Sequence, residues 1–275
     1  MKIAFTKMQG TGNDYIYVDA FRFPVAQPES LAKRLSDRHF SVGADGLVLL
    51  LPSGRADLRM RMFNADGSEA QMCGNAARCV ARYAVDHGLV ANDDFMLETM
   101  AGIKRLHVNR SNGEVSSVCV DMGEPLMETF GADAGSLLAQ SGAVRLFVRD
   151  FTLVNMGNPH AVCFVDDVKA FPVHLLGPQV ENHPLFPMRT NVEFVEVVNS
   201  EHLRMRVWER GTGETLACGT GACASVVAAV LNGKAQRRIS LQVQGGELQV
   251  WWEQQTNHVF LQGPAEYSFE GTVQI

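Results

Sequence analysis

Cys73 and Cys218 each close one phrase and open another, and the two copies lie 145 positions apart. The first reads Asn64-Ala-Asp-Gly-Ser-Glu69-Ala-Gln-Met-Cys73-Gly74-Asn75, the second Glu209-Arg-Gly-Thr-Gly-Glu214-Thr-Leu-Ala-Cys218-Gly219-Thr220. In both, a polar residue stands nine places before the cysteine, a glutamate four before it, and a glycine follows. An Ala-rich stretch of helical character comes next. A helix N-terminus presents unpaired backbone N–H groups and a partial positive charge. A cysteine placed there has its thiolate favoured, its pKa falling from about 8.5 towards neutrality. The same N–H groups seat a carboxylate. The duplication therefore predicts two reactive thiols beside two anion sites. Brought to one place, they supply one base and one acid for opposite faces of a small substrate.

The other cysteines read differently. An isolated cysteine is most often a small buried hydrophobe. Cys119 and Cys163 sit in strand alternations, and Cys79 and Cys223 lie one to two turns inside the helices, so all four are expected in the core. No Cys-x-x-Cys spacing or clustered histidine pair supports zinc, so no metal is expected. Gly219-Thr-Gly221-Ala-Cys-Ala224 matches a dinucleotide pattern at a helix start. It lacks a clean preceding strand and an acidic residue near position 240, and is rejected. No phosphate loop, nucleophile elbow or pyridoxal-binding lysine is evident, so no cofactor is expected either.

The elements that must position these residues are mostly strands. Residues 2–8 and 14–19 bracket a turn at Gly10-Thr-Gly12, and 47–51 and 58–63 read as further strands. A helix is predicted from Ser30, as its cap, to Arg38. The first cysteine phrase feeds a helix over 75–87, ended by Gly88, and strands follow around 95–99, 104–109 and 115–121. The second half repeats this order: strands at 147–154, 160–165, 192–198 and 203–209, a helix over 220–231, then strands at 239–243, 247–252 and 258–262. The stretch 123–143, with Pro125 and several glycines, reads as the crossover between halves. A repeat this long means duplicated domains.

Bulk properties agree. The chain has 275 residues, enough for two domains with ample core. Its net charge of -6 and pI of about 5.8 argue against nucleic acid or an anionic membrane as partner. No apolar run approaches a membrane span, and the charged opening Met1-Lys-Ile-Ala-Phe-Thr-Lys-Met8 does not read as an export signal. Six cysteines are too sparse for a disulfide scaffold. A cytoplasmic location is expected.

Eight short motifs together make the resemblance specific. They are Gly10-Thr-Gly-Asn13-Asp14, Gly43-Ala-Asp45-Gly46, Phe63-Asn64-Ala-Asp-Gly-Ser-Glu69, Met72-Cys73-Gly74-Asn75, Met156-Gly-Asn158-Pro159-His160, Thr190-Asn191, Glu209-Arg210-Gly211 and Ala217-Cys218-Gly219-Thr220-Gly221. On these residues the chain resembles the diaminopimelate epimerase family over essentially its whole length. The resemblance implies an α+β fold of two pseudo-symmetric domains, each a mixed β-sheet curled into a barrel around a central helix, with the active site in the interdomain cleft. It places the domains at 1–119 plus 263–275 and at 120–262.

The resemblance also implies a cofactor-independent reaction of lysine biosynthesis, L,L-2,6-diaminopimelate to the meso isomer, in a cytoplasmic homodimer. Cys73 is expected as the base for the L,L isomer and Cys218 as the acid on the opposite face. His160 and Glu209 are expected to tune the thiols, with Glu209 also a partner for the reacting amine. Backbone N–H groups of Gly74, Asn75, Gly219 and Thr220 would stabilise the carboxylate as the carbanion forms. Asn13, Asn64, Asn158, Asn191 and Arg210 would hold the distal amino and carboxylate groups. Two positions depart from the family pattern. Ala76 stands where many members have glycine, and Gly46 stands where some carry a glutamine that reaches the substrate. Two alternatives remain at this stage: the same thiol pair acting on another amino acid, such as histidine or hydroxyproline, and a silent amino-acid-binding module with structural thiols.

Overall fold

The computed structural model describes residues 2–129 and 138–274, so the crossover stretch read at 123–143 lies partly outside the described residues. The chain divides into two compact units, Met1–Asp121 with Gln262–Ile275, and Met122–Leu261. The fold is α+β, dominated by strands.

In the first unit, β1 (Lys2–Gly10) and β2 (Asn13–Asp19) form an antiparallel hairpin. Its two-residue turn has Thr11 and Gly12 both at positive φ, 53° and 84°, the geometry that matches strand twist. Helix α1 (Pro28–Ser36) follows, then β3 (Gly46–Leu51) parallel to β2 and β4 (Leu58–Asn64) antiparallel to β3. The short β5 (Glu69–Ala70) leads into helix α2 (Gly74–Asp86), and β6 (Asp94–Thr99), β7 (Gly102–Ser111) and β8 (Glu114–Gly123) complete the run.

The second unit contains β9 (Leu126–Glu128), β10 (Ala139–Ser141), β11 (Val144–Leu146), β12 (Phe151–Asn155) and β13 (Pro159–Phe164). Helix α3 (Val173–Glu181), β14 (Asn191–Asn199), β15 (His202–Glu209) and β16 (Gly213–Thr215) lead to helix α4 (Gly219–Leu231). Then come β17 (Arg238–Val243), β18 (Gly246–Trp252) and β19 (Val259–Gly263). The last strand, β20 (Glu266–Gln274), returns to pair antiparallel with β1.

The offset of 145 governs far more than the cysteine phrases. Helix α1 begins at Pro28 and α3 at Val173, α2 at Gly74 and α4 at Gly219, β3 at Gly46 and β14 at Asn191. Strand register follows it too: Tyr15 pairs with Gly46 in the first unit, and His160 with Asn191 in the second.

Each unit encloses one helix. Ten of the thirteen residues of α2 are buried, and the same is true of α4. Helix α2 packs on β1, β2 and β7, and α4 on β12, β13, β14, β15 and β18. A helix of small and apolar residues on every side suits such a place, and Gly219-Thr-Gly-Ala-Cys-Ala-Ser-Val-Val-Ala-Ala-Val-Leu231 is one. Helix α2 buries Arg78 as well, whose Nε donates to Pro264 O at 3.1 Å. Helices α1 and α3 lie on the other faces of the sheets. Leu31, Ala32 and Leu35 turn inwards from α1 towards β3 and β4.

Three expectations need correction. Helix α1 starts at Pro28 with Gln27 before it, and Ser30 is inside the first turn, not the cap; proline suits a first helical position because its missing N–H is unpaired there anyway. Helix α3 escaped the periodicity reading because Gly177 and Pro178 look like breakers. Gly177 is there for space: a Cβ would stand 2.5 Å from the Trp208 ring. Cys119 is half-buried, not core, since it lies on the partly exposed face of β8. Cys79, Cys163 and Cys223 are buried as expected.

Candidate active site

Cys73 is the N-cap residue of α2, in extended backbone at φ -136° and ψ 123°. Cys218 occupies the same place on α4 at φ -123° and ψ 117°. Gly74 and Asn75 open the first turn of α2, and Gly219 and Thr220 that of α4, so each cysteine stands at the N-terminus of a buried helix. The repeated upstream glutamates clamp the hairpins that deliver the cysteines. Glu69 pairs with Arg61 at 2.7 Å across β4 and β5, and Glu214 with Arg206 at 2.6 Å across β15 and β16.

In the first unit the thiol leads into a chain of polar contacts. Cys73 Sγ donates to Asn13 Oδ1 at 3.3 Å, which also accepts from Asn75 Nδ2 at 3.3 Å. Asn13 Nδ2 donates to Asp45 Oδ2 at 2.7 Å. Asp45 is thereby an oriented anchor for the Asn13 amide. Burial and the neighbouring Asp14 push its carboxyl upwards. Asp14 itself is held below the usual range by Arg38 and Lys7, against the opposing effect of burial. Asn64 closes β4, where its amide donates to Ser68 Oγ at 3.0 Å and its own N–H to Ser68 O at 2.9 Å. Gly10 lets β1 approach α2: a Cβ there would stand 3.2 Å from Asn75 O. At Gly46 a Cβ would stand 2.0 Å from Phe63 O, so this position offers backbone only.

In the second unit Cys218 is 6% exposed and sits among carboxylates. Its sulfur lies 3.5 Å from Thr220 Oγ1. Glu209 accepts hydrogen bonds from Thr215 Oγ1 and from the Cys218 thiol. Burial pushes Glu209 above the ordinary carboxylate range, and these donors pull it back. The expectation of a lowered thiol is corrected here. Burial, then the charges of Glu209 and Glu193, push Cys218 well above its ordinary 9.0. Thr220 and the Gly221 N–H oppose that shift without cancelling it. The helix N-terminus is present, but burial and carboxylates outweigh it and favour the protonated thiol.

His160 is buried, with Nε2 2.9 Å from Asn158 Oδ1 and Nδ1 2.7 Å from Glu193 Oε1. Asn158 thus contacts His160, as its place two residues earlier allows. Asn191 spans two segments: its Nδ2 donates to Pro159 O at 2.9 Å and its Oδ1 accepts from Arg210 N at 3.0 Å. The Arg210 guanidinium donates to Met188 O at 3.1 Å. The turn carrying Arg210 is supported from α3, whose buried Glu181 accepts from Gly211 N at 2.8 Å and Trp208 Nε1 at 2.7 Å.

The first unit therefore joins Cys73, Asn13 and Asn75, and the second joins Cys218, Glu209 and Thr220 and, through Glu193, His160 and Asn158. Sequence reasoning passed over Asp45 as a side chain with a role, and over Glu193 altogether. The motif Gly43-Ala-Asp45-Gly46 was the available signal for the first. No motif marks the second.

Residues 5–128 and 152–268 match the family model described as Diaminopimelate epimerase. The diaminopimelate epimerase of Acetivibrio thermocellus is 51% identical over 275 residues, with 98% of each chain covered. That of Phocaeicola vulgatus is 51% identical over 276 residues, covering 99% of each. Among solved structures, a phenazine biosynthesis protein of the PhzF family from Bacillus anthracis superimposes with a TM-score of 0.72 at 18% identity, covering 100% of both chains. A hydroxyproline epimerase from Agrobacterium vitis, with bound trans-4-hydroxy-L-proline, gives 0.71 at 16% identity, covering 99% of this chain and 92% of that one. These two share the fold.

Proposed function

We propose that this chain, which belongs to the diaminopimelate epimerase family, interconverts L,L- and meso-2,6-diaminopimelate by proton transfer between two cysteines. The observation that carries the mechanism is the matched pair of N-cap cysteines, Cys73 on α2 and Cys218 on α4. In the direction from L,L to meso, the Cys73 thiolate removes the α-proton, and its S–H bond forms as the C–H bond breaks. The electron pair left on carbon spreads into the adjacent carboxylate. Cys218 then gives its proton to the opposite face and becomes the thiolate. The thiols exchange roles for the reverse direction, and the pair carries one proton fewer than its full complement throughout.

No cofactor is needed as an electron sink if the developing charge is met by preorganised donors. The backbone N–H groups of Gly74, Asn75, Gly219 and Thr220, at the first turns of α2 and α4, are assigned to supply them. Asn13, Asn64, Asn158, Asn191 and Arg210 are assigned to the amino and carboxylate groups at the far end of the substrate, and Glu209 to the reacting amine. Arg210, whose planar guanidinium suits a carboxylate, favours a substrate with two such groups over histidine or hydroxyproline. A role in lysine biosynthesis, in a cytoplasmic homodimer, accompanies this reading. Light scattering of the purified protein checks the dimer.

The test is solvent exchange. In deuterated water with L,L-diaminopimelate, deuterium is expected at one α-carbon alongside formation of the meso isomer. Absence of exchange overturns the function. Cys73→Ala and Cys218→Ala should each abolish epimerisation, whereas Cys119→Ala should retain it. Full activity in either of the first two overturns the two-thiol scheme.

A further inference from the structure

Glu193 is the third residue of β14, and its side chain is fully buried. One carboxylate oxygen, Oε1, lies 2.7 Å from His160 Nδ1, and the other has no hydrogen-bond partner among the described residues. A Cβ built on Gly221 would stand 2.6 Å from Oε1, 3.2 Å from the carboxylate carbon and 3.3 Å from Cys218 Cβ. The carboxylate therefore lies beneath the first turn of α4, directly behind the cysteine.

The first unit shows what this place requires for packing alone. At the same offset of 145, Glu193 corresponds to Val48, Gly221 to Ala76 and His160 to Tyr15. Val48 and Ala76 are both fully buried. A valine and an alanine fill the position in one unit, and a glutamate with a glycine fill it in the other. Burying a carboxylate is costly even when it is paired, so packing does not account for Glu193. The exchange of Ala for Gly on the facing helix is what admits it.

We propose that Glu193 is a positioning residue for proton transfer at Cys218, fixing the His160 ring and placing a negative charge beneath the first turn of α4, with Gly221 kept bare to make room. The inference rests on the reading of Cys218 as a proton carrier. A carboxylate behind the sulfur opposes the thiolate and keeps Cys218 charged with its proton until the substrate carbanion forms. The other strands packed on α4 bring few competing charges. From β13 comes His160, and from β15 Glu209. Glu196 of β14 is paired with Arg204, Arg206 of β15 with Glu214, and Glu247 of β18 accepts from Ser240; β12 has no ionisable side chain. Cys163 of β13 and Cys223 of α4 are buried thiols, and His202 lies at the far end of β15 beside Asn199. Among the described residues, Glu209 and Glu193 are the charges that act on Cys218, with His160 held against Glu193.

The test uses full-length protein and reads each thiol separately. Iodoacetamide labelling is followed against pH by mass spectrometry of the Cys218 and Cys73 peptides, beside the pH dependence of kcat and KM. Glu193→Gln should move the Cys218 labelling profile down by about one pH unit, as loss of a nearby like charge does, with the Cys73 profile unmoved. Its kcat should fall roughly tenfold or more, the scale of a misplaced proton donor, with KM changed less. Glu193→Asp keeps the charge and should recover at least half of the shift. Gly221→Ala should reproduce the effect by displacing the carboxylate, and adding Glu193→Gln to it should change little more. A Cys218 profile that coincides with the parent's in Glu193→Gln, or in Gly221→Ala should the first variant not fold, overturns the proposal. The labelling arm needs no turnover, so its failure is separate from any failure of the epimerase reading.

Discussion

At the scale of single residues, the second half of each site contact decides what the first can do. Asn13 turns its oxygen to Cys73 because its nitrogen is held by Asp45 at 2.7 Å. Asp45→Ala should free that amide to rotate. The substitution also removes the partner of Asp14 N and one partner of Arg38. Leaving a polar group unsatisfied costs about 1–3 kcal/mol, so stability to urea should fall by about that amount. By steady-state assay kcat/KM should drop roughly tenfold as the Asn13 amide loses its orientation. The cysteines, the glycines after them and the asparagines were legible in the sequence because type and spacing alone mark them. Glu193 was not. In Asn191-Val-Glu-Phe-Val195 an acid alternating with apolar residues reads as a solvent-facing position, yet all five of these residues are buried. Both faces of β14 are covered, one by α3 and the other by α4. Without knowledge of α3, that burial has no signature. The tuning of Cys218 was misread for a related reason: a helix N-terminus is visible in sequence, whereas the carboxylates that overrule it come from β14 and β15.

At the scale of elements, most long strands and the two central helices are readable from periodicity and turn residues. Strands β5, β9, β10, β11 and β16 are too short to show a period, and the exposed β20 escapes that reading. The missing helix is readable by another route. Helix α3 begins 145 positions after α1, so the repeat announces it where Gly177 and Pro178 hide it. What the sequence does not show is why particular glycines are needed. Gly46 sits opposite Asn64 in the β3–β4 ladder, with the Phe63 carbonyl where a side chain would begin. Gly46→Ala must force those strands apart. A loss of about 3 kcal/mol or more is expected, at the severe end for one added methyl, measured by urea unfolding. Gly177→Ala should act through the Trp208 ring and loosen the turn carrying Arg210, raising KM more than it lowers kcat.

At the scale of the whole molecule, the buried thiols make stability sensitive to alkali. Burial raises Cys79 from 9.0 to about 11 and Cys163 from 9.0 to about 12. Below pH 9 these thiols are protonated in folded and unfolded chains alike, and their contribution is fully present. Above it the unfolded chain ionises while the folded one does not, so stability is lost from pH 9 up to about 11 for Cys79 and about 12 for Cys163. The urea midpoint should be flat to pH 8.5 and fall beyond it, by about 1.4 kcal/mol per pH unit for each thiol, and Cys163→Ala should flatten the decline. A midpoint independent of pH up to 11 would refute this. The preserved offset of 145 has a consequence of a different kind. Two copies that keep one frame and one register while their side chains diverge form a natural substitution experiment inside a single polypeptide. Each position that the offset aligns has its control in the other half, at a known number. Val48→Glu combined with Ala76→Gly would transplant the buried carboxylate and the space that admits it into the other half, and so ask how much of the asymmetry of the two thiols is written in those two residues.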